Sequence, residues 1–254
     1  MKQKTIIAIT LVAVLCVPLW AQTEAHFNVT LTEDGQGVVI TKYTGTVMAV
    51  RIPATIQGMP VREIGYEAFN FLKITSVVIP EGVTRIRKEA FSNCDQLATV
   101  TLPNTLTHID FGAFSYCYAL KTINLPSSLI QIEQYAFQYT GLTSISWPAS
   151  VTTIENSMFF GTALRTVVIP EGVISIGQSA FSTISNPTIT SVTLPSTITQ
   201  IGGDAFAKQS NLTTITIPDT VESIQISSGA FYDCGKLTLV SQAALKRVGY
   251  TGIF

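Results

Sequence analysis

The chain has 254 residues, of which 46% are hydrophobic and 12% charged, and its formal net charge at pH 7 is −1. That hydrophobic content excludes an intrinsically disordered chain. The balanced charge and the absence of a basic run argue against nucleic-acid binding, so we expect no nucleic-acid partner.

Residues 1–21 have the features of a secretory signal peptide. Residues 1–4 carry two lysines, residues 5–19 form an apolar run, and the small Ala21 precedes Gln22. The run is shorter than the ~20 residues that a membrane span needs. We therefore predict no membrane span and an exported chain at the cell surface, in the medium or in the periplasm. A lipid anchor on Cys16 is the alternative, although Leu15 stands where such a site would have a small residue.

Residues 22–49 are predicted to form an N-terminal β cap. Apolar and polar residues alternate over residues 27–32, and Gly35 and Gly37 precede a second apolar stretch at residues 38–40. This pattern predicts a β-hairpin with its turn at residues 33–35. The hairpin would cover the first open edge of the structure that follows.

Residues 50–240 contain about eight copies of a unit of 22–25 residues, shown clearly by residues 97–117. One column of the unit holds proline and another holds phenylalanine. The prolines are Pro80, Pro103, Pro126, Pro148, Pro170, Pro195 and Pro218, and the phenylalanines are Phe91, Phe114, Phe137, Phe159, Phe181, Phe206 and Phe231. A period in this range predicts a solenoid whose coils bury their apolar sides against one another.

Each unit is predicted to contain a strand and a return segment. Val100 and Leu102 alternate with Thr99 and Thr101, which predicts a short strand with its apolar side inward, ended by the proline. Apolar spacings of three and four then predict a turn and a short helical or 3₁₀ return that carries Phe114 into the core. The expected fold is an α/β solenoid with a parallel β-sheet on one face and helical or 3₁₀ returns on the other.

Two coils are longer than the rest, through residues 183–188 and through Gln225–Ile226. Such insertions usually map to loops, which either carry contacts or reflect tolerated drift in length. The proline column is lost after residue 240, and residues 243–248 are typical of a short closing helix. Residues 241–254 are therefore predicted to form a C-terminal cap.

Several motifs recur together along the chain. They are I-G-x-x-A-F at residues 64–69 and 176–181, A-F-x-x-C-x-x-L at 90–97 and 113–120, V-x-I-P-E-G-V at 77–83 and 167–173, and I-T-x-Y-T-G at 40–45. Together they resemble the BspA-type bacterial leucine-rich repeat surface proteins, which are related to treponemal leucine-rich repeat proteins. The resemblance implies a leucine-rich solenoid, export to the cell surface or periplasm, and adhesion to host proteins or other bacteria.

Three cysteines, Cys94, Cys117 and Cys234, each stand three residues after a repeat phenylalanine. This spacing indicates a column that takes a small apolar residue. Cys94 and Cys117 lie in adjacent coils, so they either form a disulfide in an oxidising compartment or remain buried thiols. No C-x-x-C metal spacing occurs.

No residue of the sequence points to catalysis. The two histidines, His26 and His108, are isolated, and the common motifs of hydrolases, phosphate-binding loops and zinc proteases are absent. We predict a non-enzymatic protein without catalytic residues, cofactor or metal.

The outward strand positions form two columns rich in serine and threonine, which favour strands and leave a flat, polar face. One hypothesis is that this face binds a protein ligand, with Lys121 and Arg165 as charged anchors; the other is that the columns reflect β-propensity alone. The candidate binding residues in the columns are Thr99, Thr101, Thr122, Asn124, Thr193, Thr214 and Thr216.

Three functions remain open from the sequence. The leading interpretation is an adhesin-like module that binds host matrix or bacterial surface proteins. The alternative is a structural or self-associating cell-envelope protein without a host ligand, and the oligomeric state is open. The Thr-x-Thr pairs also occur in flat ice-binding surfaces, but Ser, Val and Asn interrupt the columns here.

Overall fold

A computed structural model describes residues 23–254, so the predicted signal peptide over residues 1–21 and its alternative at Cys16 lie outside the described residues. Within this range, none of the helices has both the length and the hydropathy to cross a membrane. A 3₁₀-helix at Glu24–His26 precedes the first strand. The strands and the helix then follow as β1 (Phe27–Leu31), β2 (Val38–Tyr43), β3 (Ala49–Arg51), β4 (Thr55–Ile56), β5 (Met59–Ile64), β6 (Ser76–Val78), β7 (Arg85–Ile86), β8 (Thr99–Thr101), β9 (His108–Ile109), β10 (Gln131–Ile132), β11 (Thr153–Ile154), β12 (Thr166–Val168), β13 (Ser175–Ile176), β14 (Ser191–Thr193), β15 (Gln200–Ile201), β16 (Thr214–Thr216), β17 (Gln225–Ile226) and α1 (Leu239–Arg247).

The coils stack into a solenoid with two parallel sheets and a third side made of turns. Sheet I contains the predicted strands, as two blocks, β3-β6-β8 and β12-β14-β16. Sheet II lies after the proline of each coil and also has two blocks, β1-β2-β5-β7-β9-β10 and β11-β13-β15-β17. The carbonyl of the proline, for example Pro103, accepts the amide of the residue three positions later, Leu106, at 3.3 Å. This turn redirects the chain from sheet I to sheet II.

The helical or 3₁₀ returns predicted for each coil are wrong. Within residues 23–254 the helical elements are Glu24–His26 and α1, and the returns consist of a two-residue strand followed by successive turns. In these turns, amides alternate between two partners: Ala90 donates to Arg87 within the coil, at 3.1 Å, whereas Phe91 donates to Ala113 of the next coil, at 2.8 Å. The alternation requires positive φ at Glu89 (56°), which a continuous helix does not allow.

The turn side is joined along the whole solenoid by one series of hydrogen bonds, which we call the spine. In the spine, the amide of each core aromatic residue donates to the residue that precedes the next core aromatic. The bonds are Tyr43 to Ala68, Phe69 to Ala90, Phe91 to Ala113, Phe114 to Ala136, Phe137 to Met158, Phe159 to Ala180, Phe181 to Ala205 and Phe206 to Ala230. Because all distances are 2.8–3.1 Å, every pair of neighbouring coils is tied together here.

The side chains of the same residues form a continuous aromatic stack through the core. From Tyr43 to Phe231, neighbouring ring centroids lie 4.8–5.8 Å apart with planes within 20°. Two tyrosines end the stack, since Tyr43 packs beyond Phe69 and Tyr250 meets Phe231 edge-on at 5.4 Å. Their hydroxyls donate to backbone carbonyls, Tyr43 to Val47 at 3.1 Å and Tyr250 to Ser228 at 2.9 Å. A tyrosine therefore suits each end, where the ring is buried and the hydroxyl needs a partner.

The N-terminal hairpin extends sheet II. Strands β1 and β2 pair antiparallel, and β2 pairs in parallel with β5. Asp34 fixes the connecting turn because its Oδ1 accepts hydrogen bonds from the Thr32 hydroxyl at 2.6 Å and the Gln36 amide at 2.9 Å. These bonds, the Thr32 one foremost, lower the pKa of Asp34. The hairpin thus continues the hydrogen-bonding of the coils outward and leaves β1 as the edge strand.

At the other end, α1 closes sheet I. Thr238 caps the helix by accepting the amide of Ser241 at 3.3 Å. The Ser241 hydroxyl in turn accepts the amide of Ile215 in the last strand, at 3.0 Å. Arg247 donates to the carbonyl of Val221 at 2.7 Å. The helix therefore satisfies backbone groups that an uncovered last coil would leave without partners.

The two longer coils differ from each other. Residues 183–188 form a loop, and the side chain of Gln209 accepts the amides of Thr188 and Ile189, both at 3.2 Å. The other extension is not a loop at Gln225–Ile226, because this pair is β17 and continues sheet II next to β15. The additional residues of that coil come before β17, where Ile224 donates to Val248 at 2.9 Å.

Candidate functional site

The outer face of sheet I carries the two predicted polar columns. Alternation along each three-residue strand buries the central residue, such as Val192 and Ile215, and turns its neighbours outward. In register, Ser76 pairs with Thr99 and Val78 with Thr101 in the first block, while Ser191 pairs with Thr214 in the second. Hydroxyl groups therefore lie next to one another across neighbouring coils.

The structure places all of the predicted binding residues on this outer side. Thr193 is half-buried, and the others are exposed: Thr99, Thr101, Lys121, Thr122, Asn124, Arg165, Thr214 and Thr216. The face is nearly uncharged along its columns. It offers a broad surface for contact.

The ladder is not continuous, in contrast to the expected single sheet. Between β8 and β12 the described sheet I is reduced to one isolated bridge, Asn124 with Ser146. Trp147 occupies the column that holds Ile or Leu in neighbouring coils, and its ring meets Phe159 edge-on at 5.1 Å. The interruption therefore includes the coil of Trp147 and also the coil before it, which holds Leu125 in the same column.

Lys121 and Arg165 each come directly before the first outward residue of their coil, and the two coils lie on different parts of this face. Lys121 lies in the interrupted region, and Arg165 directly precedes β12. The carbonyl of Lys121 accepts the amide of Thr143 at 3.1 Å, and that of Arg165 accepts the amide of Thr190 at 2.8 Å, so both backbones are fixed. Within the described residues neither side chain makes an ion pair. Both cations are therefore available to a partner.

A second group of charges, in a groove of about 550 Å³ beside the hairpin turn, is internally neutralised. Arg85 Nε donates to both carboxylate oxygens of Asp110, at 3.0 and 2.9 Å, and Arg87 pairs with Glu63. The hydrogen bond that Arg85 donates to Asp110 raises the pKa of Arg85. The sequence does not reveal this pairing across coils, because the partners are 24–25 residues apart. These arginines already have partners, so they are weaker candidates for ligand contact than Lys121 and Arg165.

The geometry of the coils agrees with a sequence comparison. A family model described as the BspA type leucine rich repeat region matches six copies, over residues 62–188 and 183–249. The chain belongs to the BspA-type leucine-rich repeat family. The resemblance drawn from the motifs is thereby confirmed.

Solved structures of leucine-rich repeat proteins resemble this chain along most of its length. The T. pallidum leucine-rich repeat protein is 28% identical with a TM-score of 0.66, and the match covers 92% of this chain and 98% of that one. A leucine-rich repeat protein from Bacteroides ovatus is 23% identical with a TM-score of 0.55, covering 84% of this chain and 68% of that one, and shows the shared fold. No curated protein sequence matches the chain.

In this BspA-type chain the cysteine column holds hydrogen-bond donors. The thiols of Cys94 and Cys117 donate to the carbonyls of Phe69 and Phe91 in the preceding coil, at 3.0 and 3.2 Å. All three described cysteines are buried and free, so the disulfide considered for Cys94 and Cys117 is not formed in this structure. Each thiol instead satisfies a carbonyl of the preceding coil. Gln209, in the same column, donates to the carbonyl of Phe181 at 2.7 Å, so several members of the column supply a hydrogen-bond donor and not only a small apolar side chain.

We expect these thiols to make stability depend on alkaline pH. Burial raises the pKa of Cys94 and of Cys234 to about 12, and that of Cys117 well above its ordinary value of 9.0. Above pH 9 the unfolded chain loses these protons while the folded chain keeps them. The free energy of unfolding should therefore fall as the pH rises from about 9 towards 12, by at most about 1.4 kcal/mol per thiol and pH unit.

The measurement is chemical unfolding between neutral pH and about pH 10, with thiol labelling followed at each cysteine by mass spectrometry. The matched variant replaces Cys94, Cys117 and Cys234 by threonine, which the same column already holds at Thr140 and Thr162. It should show a shallower loss of stability at alkaline pH. Equal slopes in both proteins, or rapid labelling of the folded chain, would contradict the expectation.

The two histidines lie in different elements of the fold. His108 is half-buried in sheet II, with its Nδ1 2.8 Å from the hydroxyl of Thr107. His26 lies in the 3₁₀-helix that precedes β1. A search of residues 23–254 finds no cluster of three His, Cys, Asp or Glu side chains suited to a metal ion.

Proposed function

We propose that the protein is a non-enzymatic, adhesin-like module that binds host matrix or bacterial surface proteins through the outer face of sheet I. The observation that carries the proposal is the contrast between the two sides of these strands. The repeat turns an apolar residue inward in every coil, buried in all of them except at the half-buried Ile145, while the outer face presents hydroxyls, an amide and two cations without ion-pair partners. Packing constrains only the inner column, so the outer face is open to selection for binding.

The shape of the face suits a protein partner. Protein interfaces of ordinary size cover about 800 Å² on each partner and need no pocket. A solenoid supplies such an area because its coils line up side by side. Lys121 and Arg165 can pair with carboxylates of the partner, and the serine and threonine columns can exchange hydrogen bonds with it.

Export is part of the proposal. It rests on the basic start, the apolar run and the small residue at position 21, which have the order found in secretory signal peptides. The proposed residence is the cell surface, the medium or the periplasm, where a binding module of this family would meet other proteins.

The test is binding to extracellular-matrix proteins and to intact bacteria before and after a change on sheet I. The variant carries Lys121→Glu, Arg165→Glu, Thr99→Glu and Thr214→Glu, which places negative charge on both blocks and on the interrupted region. We expect at least one partner of the panel to bind the parent chain and to lose about tenfold or more in affinity with the variant.

The control variant makes four substitutions of the same types away from this face: Lys42→Glu, Lys208→Glu, Thr41→Glu and Thr152→Glu. Circular dichroism checks that both variants fold. Unchanged binding by the sheet I variant would exclude this face, and equal loss in both variants would show a nonspecific charge effect. Failure of the parent chain to bind any member of the panel would count against the adhesin function.

A further inference from the structure

The turn side of the central coils carries surface aromatic rings that the repeat does not require. The column two residues after the core phenylalanine, for example, holds Asn93, Lys208 or Asp233 in some coils and tyrosine in others. The rings concentrate within residues 111–160, where six of them lie together: Phe111, Tyr116, Tyr118, Tyr135, Tyr139 and Phe160. Packing of the core does not require them, because several other coils hold polar or small residues at the equivalent positions, such as Asn93, Lys208 and Asp233.

These rings form two rows across neighbouring coils. In the first, Phe111 and Tyr135 lie 4.9 Å apart between centroids. In the second, Tyr116 stacks on Tyr139 with 5.1 Å between ring centroids. Tyr118 extends this row at 6.2 Å from Tyr116, and Phe160 extends it at the other end, at 5.4 Å from Tyr139. Desolvation is the main cause that raises the pKa of Tyr139, and the neighbouring Tyr116 and Tyr118 raise it further. The side chain of Tyr118 nevertheless remains 57% exposed, so the second row is open to solvent at its end.

A groove of about 330 Å³ lies between the two rows, and we call it the aromatic groove. Phe111 and Tyr135 line one side and Tyr116 the other, and the remaining lining residues are Glu89, Ser92, Asn93, Gly112, Ser115 and Gln138. Its volume falls in the range of small-ligand sites. Gly112 also lines the groove, with a φ of 59°. A side chain there would crowd the groove, because its Cβ would already lie 3.4 Å from both the Glu89 side chain and the Ser115 hydroxyl.

The floor of the aromatic groove is polar and already ordered. The hydroxyls of Ser92 and Ser115 lie 2.8 Å apart, and the hydroxyl of Ser115 donates to the carbonyl of Gly112 at 2.9 Å. Asn93 donates to the Ser92 hydroxyl at 2.9 Å. Gln138 makes no side-chain hydrogen bond within the described part of the chain, so its amide can serve a ligand. Preorganised groups of this kind lose little entropy on binding.

We propose that the aromatic groove binds an uncharged carbohydrate. A sugar ring has C–H faces that can lie against Tyr116 and Tyr135, and hydroxyls that can bond to the amides of Asn93 and Gln138 and the carboxylate of Glu89. Charge does not direct the choice of ligand, because Lys88 Nζ lies 3.7 Å from the Glu89 carboxylate and 5.2 Å from the centroid of the Phe111 ring, so the two charges balance beside the groove. A proline-rich peptide would use the rings but not this floor of serine, asparagine and glutamine side chains.

The site is separate from the outer face of sheet I and adds a second class of ligand to the proposed protein-binding role. The two proposals fail independently, because the Lys121 and Arg165 variant leaves the aromatic groove intact. The groove variants in turn leave sheet I unchanged.

The test is binding of the full chain to an array of neutral oligosaccharides built from glucose, galactose and N-acetylglucosamine, followed by calorimetry on those that bind. The variant pair is Tyr116→Asn and Tyr135→Ser. Each substitution copies a residue of the same column in another coil, Asn93 for the first and Ser157 for the second, at a position of positive φ. Folding is therefore preserved, and we expect affinity to fall about tenfold or more.

The matched control is Phe71→Asn, which removes an exposed ring from the same column as Tyr116, outside the groove. It should change affinity by less than about twofold. A further variant, Gln138→Ala, should weaken binding through the floor while leaving the rings in place. Absence of binding to every oligosaccharide, unchanged affinity in the Tyr116 and Tyr135 variant, or binding of a proline-rich probe peptide instead would overturn the proposal.

Discussion

Replacing Phe114 by alanine should lower the free energy of unfolding by about 3–5 kcal/mol. Phe114 is fully buried, and its ring lies between Phe91 at 5.3 Å and Phe137 at 5.8 Å, with planes within 3° of both. The substitution removes contacts with two coils at once and leaves a cavity in the middle of the stack. In a solenoid each coil is stabilised only by its neighbours, so the loss falls on the central part of the array.

Urea unfolding followed by circular dichroism measures this effect. Phe71→Ala is the matched control, because Phe71 is 69% exposed and should change stability by about 0.5 kcal/mol or less. Similar losses in the free energy of unfolding for the two variants would show that burial in the aromatic stack does not determine the cost of removing a ring.

Gln209→Leu should cost about 3 kcal/mol, although it replaces a polar residue with an apolar one of similar size. Gln209 is only 2% exposed. Its Nε2 donates to the carbonyl of Phe181 at 2.7 Å, and its Oε1 accepts the amides of Thr188 and Ile189. Leucine would leave three backbone groups without partners, and each buried group without a partner costs about 1–3 kcal/mol.

Hydrogen exchange provides a second readout for this variant. The amides of Thr188 and Ile189 should exchange faster, because they lose their acceptor, whereas the amides of the spine keep theirs. Gln131→Leu, on the exposed side of sheet II, serves as the control and should have little effect on stability. Retained protection of both amides in Gln209→Leu would rule out the proposed role of this side chain.

The inward columns could be predicted from the sequence, because the buried phenylalanines and the apolar strand positions recur at a fixed spacing. Sheet II could not, since a strand of two residues such as His108–Ile109 is too short to show an alternating pattern. The apolar spacing of three and four in the turns is also that of a helix, and it therefore predicts helical returns that the structure does not contain. Alternate bonding to the next coil, which depends on positive φ at positions such as Glu89, has no signature in apolar spacing.

The candidate sites could likewise be predicted from the sequence only in part. Placement of Thr99 and its column on the outer face follows from strand alternation, but the interruption of sheet I between β8 and β12 has no signature in that alternation. Alignment of the coils could have found Gln209, since it stands in the cysteine column. The tyrosines of the aromatic groove were also visible as exceptions in variable columns, but their grouping into two rows required the geometry of neighbouring coils.

The spine has a mechanical consequence. Both sheets are interrupted within the central coils, whereas the bonds from Phe114 to Ala136 and from Phe137 to Met158 continue on the turn side. The two sides should therefore resist a bending load unequally. The distance between central coils can increase on the side of the sheets, whereas the hydrogen bonds of the spine keep that distance constant on the turn side. Ligands held on the turn side would then rest on the part of the rod that deforms least.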